Sequence, residues 1–184
     1  MWNGISSEWA TDVTTGGTSI QSRINGWYRL TTGAVTTNEE SIDFNDITVS
    51  SYTVLPMFEI NLQLEEINDT EIEVGLKESE AVGTDDYIMM AFDPSAQNTW
   101  YIEVSSAAAT TTDQGAVATT SETLLRFQLL TTSTLEWFID NVSQGTITTN
   151  IPLVGLQPFI RIRTEANAAH YVDFDFVKLW QNRA

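Results

Sequence analysis

The feature that most constrains this chain is a strict alternation of apolar and polar residues over short stretches. FEINLQLE, Phe58 to Glu65, sets Phe58, Ile60, Leu62 and Leu64 on one face and Glu59, Asn61, Gln63 and Glu65 on the other. Successive side chains of a strand point to opposite faces, so the pattern specifies a half-buried antiparallel strand. EIEVGL repeats it with Ile72, Val74 and Leu76 inward. The Ile67-Asn68-Asp69 link between them carries turn chemistry, which predicts a hairpin.

The same rhythm predicts strands at GWYRLT from Gly26, YIMMAF from Tyr87, WYIEV from Trp100, LLRFQLL from Leu124 and LEWFID from Leu135. It continues at TITTNI from Thr146, FIRIRT from Phe159 and YVDFDFVKLW from Tyr171. Polar clusters such as ESEAVGTDD and SSAAATTTDQGAVATTSE separate them and read as loops. Threonine, valine, isoleucine and aromatic residues favour extended backbone, and the alanines at Ala107 are too few to nucleate a helix. Many short strands in one chain imply an all-β fold: a two-sheet antiparallel β-sandwich of jelly-roll type.

A chain of 184 residues fits one domain and buries enough surface to need no staple, in keeping with its lack of cysteine. Residues 1–25 form an N-terminal arm or edge segment, and 26–184 a single sandwich domain. Trp2 and Trp9 stand in a Gly-, Ser- and Thr-rich context and either cover the sandwich as part of an edge strand or dock on a neighbouring subunit. With 25 acidic against 8 basic residues the net charge is −17, a field that repels nucleic acid and anionic membrane. No apolar run is long enough to cross a bilayer, and MWNGISSEWATD lacks the features of a signal peptide. The expectation is a protein free of the membrane and unprocessed.

Glu136 and Asp140 flank Trp137 and invite a catalytic reading. They lie four residues apart on one strand, about 13 Å at ~3.3 Å per residue, too far for the carboxyl pair of a glycosidase. Asp140-Asn141 followed by Gly145 reads instead as the turn of a hairpin.

The run from Ser133 through Trp137, Asp140-Asn141-Val142 and Gly145-Thr146 to Ile151-Pro152 resembles a hairpin of concanavalin A-like lectin/glucanase jelly rolls, including those of phage and other virion structural proteins. Gln157 to Thr164 and Tyr171 to Trp180 follow in the order of that fold, and GWYRLTTGA resembles its opening strand. The resemblance implies sugar hydrolysis or sugar binding within the wider superfamily. Its glucanase branch carries acids on one strand in a pattern close to Glu-x-Asp-x-(x)-Glu. The nearest stretch is DTEIEVGLKE, with Asp69, Glu71 and Glu73; Gly75 and Leu76 stand where a further acid belongs. Glu71 and Glu73 share a face at about 6.6–6.8 Å between Cα atoms, within carboxylate reach, yet no tryptophan is near, and a solvated strand face is expected.

For sugar binding, Trp27-Tyr28 and Trp100-Tyr101 each put one aromatic in and one out, which makes Tyr28 and Tyr101 the glycan candidates. His170, the single histidine, is expected at the start of the last strand, with no G-x-S-x-G motif to make it a catalytic base. No cofactor is expected; calcium is the one metal weighed, through Asp85-Asp86 or Asp173 and Asp175. The leading expectation is a non-enzymatic virion structural protein, a capsid decoration or cement protein on the particle exterior. It would bind the major capsid protein or other virion subunits through Trp2 and Trp9 and form a homo-oligomer, such as a trimer. A lectin-like glycan- or receptor-binding module of a phage fibre is the alternative, and a glycoside hydrolase the third.

Overall fold

In the computed structural model, residues 10–13, 18–22, 26–44, 47–78 and 86–182 are described. The strands are β1 (Ala10–Val13), β2 (Thr18–Ser22), β3 (Tyr28–Thr31), β4 (Glu39–Asp43), β5 (Ser50–Ser51), β6 (Met57–Leu64), β7 (Thr70–Lys77) and β8 (Tyr87–Phe92). They continue with β9 (Thr99–Ser106), β10 (Ala109–Val117), β11 (Thr123–Thr131), β12 (Thr134–Ile139), β13 (Val142–Ile147), β14 (Gly155–Thr164) and β15 (Tyr171–Trp180). A 3-10 turn at Tyr52–Val54 precedes β6.

Two antiparallel sheets result. One has eight strands in the order β1-β4-β14-β7-β8-β9-β10, with β5 paired to β14; the other has seven in the order β13-β12-β11-β6-β15-β3-β2. The all-β jelly-roll sandwich expected from the alternation is what the chain adopts. The described parts of the first 25 residues are edge strands, β1 beside β4 in one sheet and β2 beside β3 in the other. Trp2 and Trp9 lie outside the described residues.

Alternation decides the core. Phe58, Ile60 and Leu62 of β6 face Ile72, Val74 and Leu76 of β7 across the interior, all fully buried. Phe58 stacks on Phe127 at 5.4 Å and Phe92 leans on Trp100 at 5.9 Å. Burying a side chain of this size contributes about 1.5–3 kcal/mol, an upper figure for each core position. Trp137 is fully buried too, and its indole N–H donates to Asp113 Oδ2 at 3.1 Å, which removes the cost of burying that donor.

Two local expectations need correction. β6 and β7 are not a hairpin: β6 pairs with β11 and β15, β7 with β14 and β8, so the link between them crosses from one sheet to the other. Their apolar faces stack face to face, which bonding side by side in one sheet would not allow. The corner is built by Glu66, whose carboxylate accepts from the N–H groups of Asn68 and Asp69 and from the Thr70 hydroxyl. Burial alone would raise its pKa, but these bonds outweigh burial and hold it low. The second correction concerns Ala109–Val117, read as loop, which forms β10. It follows a turn in which Ala107 and Ala108 have φ of 51° and 64°, a left-handed pair that alanine does not signal.

A hairpin forms here as expected, with Asp140 and Asn141 at φ 50° and 65°. That pair makes a two-residue turn whose twist matches the strands. The second strand is β13 (Val142–Ile147), which starts four residues before the strand expected from Thr146 and leaves residues 148–151 outside it. Gly145 is not part of it; it sits within β13, beside the register shift opposite Trp137.

Of the described glycines, Gly75 leaves the least room for a side chain. A Cβ there would lie 2.1 Å from the Ile88 carbonyl oxygen of β8. Gly75→Ala is therefore expected to cost about 3 kcal/mol, at the upper end for overpacking, read as a lowered denaturant midpoint. An unchanged midpoint would contradict this close approach.

Candidate functional site

The outer face of the eight-stranded sheet is where polar groups concentrate. Cross-strand register places Arg161, Glu73, Ala91, Tyr101 and Gln114 in one transverse row over β14, β7, β8, β9 and β10. The adjacent row holds Phe159, Gly75, Met89, Glu103 and Thr112, and Arg163 faces Glu71 on the other side. Glycine and alanine at 75 and 91 leave the middle of the face low. With strands about 4.8 Å apart, Glu73 and Tyr101 stand roughly 10 Å apart across Ala91.

β7 is central, and all eight of its residues are buried. Glu71 and Glu73 are only 6% and 4% exposed, so the expected solvated face is corrected. The reason lies in the neighbour: Arg161 and Arg163 of β14 project from the same side and cover the acids. Arg161 donates to Glu73 Oε1 at 2.6 Å and sits 3.7 Å from Glu71 and 3.6 Å from Glu39. Arg163 pairs with Glu71 and lies 3.8 Å from Glu165. The ion pair to Glu71 Oε2 lacks hydrogen-bond geometry, and Glu73 Oε2 is also buried without a hydrogen bond.

These carboxylates are electrically strained. Burial pushes Glu71 up to about 7; Arg163 and Arg161 oppose this, while Glu73 and Asp93 add to it. Burial likewise raises Glu73 against the pull of Arg161. Burial, then the charges of Glu73, Asp93, Glu71 and Glu103, raises Tyr101 and keeps its hydroxyl neutral. Burial alone would lower Arg161, but Glu73, Glu39 and Glu71 outweigh it. Glu103 is fixed from two sides, accepting from the Tyr87 hydroxyl and from Thr112 Oγ1 at 3.1 Å. The floor beside it is a small apolar cluster of Tyr87, Met89 and Phe159, separate from the main core.

Of the paired candidates, Tyr101 faces outward and Trp100 inward. Tyr28 is different: it stacks on Phe174 at 5.9 Å and packs against the core, so it is not on an open face. Asp69, the first acid of DTEIEVGLKE, precedes β7 in the Glu66 corner and does not join the strand face. Glu136 accepts from Ser143 at 2.7 Å and Asp140 from the Leu124 N–H at 2.9 Å; the structure does not bring them together. His170 precedes β15, its carbonyl accepting from the Thr32 N–H. Asp173 is held by Arg29 at 2.6 Å, and Asp86 accepts from the Ala107 N–H at 2.7 Å; Asp85 lies outside the described residues. No group of three or more His, Cys, Asp or Glu among the described residues is arranged to hold a metal ion. Nor is any helix among them long and apolar enough to cross a membrane.

Arg161, Arg163, Glu103 and Tyr87 were not among the sequence candidates. A signal existed: FIRIRT carries arginine with the same period of two as the acids of EIEVGL.

No family model and no curated protein matches the sequence. Solved structures match over nearly the whole chain. A glycosidic hydrolase is similar with a TM-score of 0.74 at 11% identity, covering 99% of this chain and 94% of its own. The Emp47p carbohydrate recognition domain has a TM-score of 0.70 at 9% identity, covering 98% and 91%. A Bacillus licheniformis β-glucanase has 0.68 at 14% identity, covering 98% and 95%. The chain has the concanavalin A-like lectin/glucanase jelly-roll fold.

The raised Glu71 fixes the sign of a pH effect. Its folded pKa of about 7 exceeds the ordinary 4.5, so between those values the native state binds more protons than the unfolded state. Glu71 therefore stabilises the fold least at the upper end, and its contribution falls as pH rises through the window. Denaturant titrations across that range should give a less negative slope of stability against pH in Glu71→Gln than in the unchanged protein. Parallel slopes would contradict the burial of this group.

Proposed function

We propose that this chain is a non-catalytic, lectin-like carbohydrate-binding module that holds a glycan on the outer face of its eight-stranded sheet, beside Tyr101. One observation carries the reading: an outward tyrosine shares a low, Ala91-floored strip with acids and arginines already fixed by ion pairs. A sugar presents an apolar ring face and a rim of hydroxyls. An aromatic ring takes the first, and carboxylates and guanidinium groups bonded to one another lose little entropy on binding the second. Tyr101 is the ring. Glu103, Gln114 and Arg161 are the hydroxyl partners. The ligand class is supported by the similar carbohydrate recognition domain and β-glucanase, which share the fold.

A hydrolytic reading is favoured by one fact, the elevation of Glu71 to about 7, which suits a general acid. Against it, Glu71 and Glu73 each face an arginine, and Asp69 is not on the strand. A general acid must reach the leaving oxygen, and these carboxylates are already covered. The expectation of a capsid decoration protein adhering through Trp2 and Trp9 concerns residues outside those described, and the glycan reading does not draw on it.

A glycan array followed by titration calorimetry tests the proposal, with reducing-sugar release from mixed-linkage β-glucan measured in parallel. Binding without release is expected, weakened roughly tenfold or more in Tyr101→Ala, as for an aromatic anchor. No retained glycan would refute the module. Sugar release that disappears in Glu71→Gln would replace it with the hydrolase.

A further inference from the structure

A groove on the outer side of the seven-stranded sheet belongs to none of the sites above. It holds about 430 Å³, a volume that suits one or two sugar rings. Register builds it: Trp180 of β15 stands beside Met57 of β6, and in the next row Glu59 lies between Lys178 and Arg126. Leu55, Gln181 and Asn182 complete the lining. The Asn182 N–H donates to the Val54 carbonyl at 2.7 Å, which ties the residues after β15 to the turn before β6. Leu55 ends that turn at φ 50° and ψ 67°, a left-handed backbone in a residue that is not glycine and that precedes a proline. Both circumstances disfavour the conformation, and backbone held in this way is concentrated at ligand sites.

The groove is electrically balanced. Its charged lining is one acid and one base, Glu59 and Arg126, which stand 4.0 Å apart. Lys178 is outside the lining and takes the same Glu59 at 3.4 Å. The flanking acids accept from neutral groups, Glu122 from the Asn61 amide and Glu136 from the Ser143 hydroxyl. No positive excess is left to draw an anion, and the one acid in the lining already faces two cations. What the groove offers instead is an open flat surface: Trp180 is 45% exposed, whereas Trp100 and Trp137 are buried in the core.

We infer that this groove binds a neutral pyranose, one or two rings of an uncharged glycan. Trp180 takes the apolar face of a ring, since an indole joins a large apolar surface to a wet edge, and Met57 and Leu55 extend that surface. The amides of Gln181 and Asn182 both donate and accept, as sugar hydroxyls do. Glu59 and Arg126 add an acceptor and donors that hold one another before the ligand arrives. Balance selects the neutral ligand. An anion would compete with Glu59 for its cations, and a cation would compete with Arg126 and Lys178 for Glu59, whereas a hydroxyl displaces neither. A stable protein contact takes about 800 Å² from each side, and this groove is scaled to one or two rings. The site lies on the other sheet from Tyr101 and stands whether or not that face holds a glycan.

The test is titration of the full chain with cellobiose as the neutral probe and digalacturonate as the acidic one. The indole N–H resonance of Trp180 reports occupancy in the unchanged protein, and calorimetry on the Tyr101→Ala variant isolates this groove from the eight-stranded sheet. Cellobiose is expected to shift the resonance, and to do so equally in Tyr101→Ala. Adding Trp180→Ala to that variant should weaken cellobiose roughly tenfold or more, as for an aromatic anchor, and digalacturonate should bind at least roughly tenfold more weakly than cellobiose. Trp180 is exposed, so its removal leaves the fold intact, and the resonance shift needs no variant. No shift with cellobiose, binding undiminished by Trp180→Ala, or digalacturonate held as tightly as cellobiose would overturn the inference. A shift lost in Tyr101→Ala would do so as well, and would put the sugar on the eight-stranded sheet alone. Cellobiose held through Trp180 and unaffected by Tyr101→Ala would support this groove even if the lectin-like reading of the other sheet failed.

Discussion

The register between β7 and β14 is the constraint on which the rest depends. One parity of these strands, Ile72, Val74, Ile160 and Ile162, lies in the apolar core, and the other holds two acids opposite two arginines. A slip of either strand by one residue would turn its two charged side chains, Glu71 and Glu73 or Arg161 and Arg163, into the core. Ion pairs removed from water are weak contributors to net stability, because desolvation offsets their attraction. Their effect is on specificity: among the ways to align these two strands, only this one gives each of the β7 carboxylates, Glu71 and Glu73, an arginine opposite.

That register has a functional consequence. A face built from fixed ion pairs keeps its polar groups in place before any ligand arrives, and Tyr101 stands on it with its hydroxyl kept neutral by burial first and then by the surrounding acids. The outer face of the seven-stranded sheet is arranged differently. There Arg126 and Lys178 compete for Glu59, and neither is held closely. One sandwich thus presents two chemically distinct outer faces, one built on close arginine–carboxylate pairs and one on longer contacts to a single buried carboxylate.

Much of the architecture could be read from the residues. The inward sets of β6, β7 and β12 follow directly from alternation, and Asp140-Asn141 announces its turn because both residues tolerate a left-handed backbone. Where legibility failed, the cause was a missing local signal. Ala107 and Ala108 adopt left-handed conformations because the strands on either side pair, so β10 hid in a threonine-rich stretch. The link after β6 resembles a hairpin turn, yet Glu66 bends it across the sandwich. For the site, Tyr101 could be proposed from its place beside a tryptophan, but Glu71 and Glu73 were expected in water because their cover comes from a strand some ninety residues away, as Arg161 and Glu73 show with a separation of 88.

By itself the sequence determined which residues avoid water. Period-two alternation acts within a few residues, and it suffices to define the strands, the core faces and the two-sheet class. Which strands lie side by side, and so which charges meet, was decided only by the tertiary structure. Burial and pairing are sums over partners distant in the chain, and a carboxylate has no local way to record whether a guanidinium or water will stand against it.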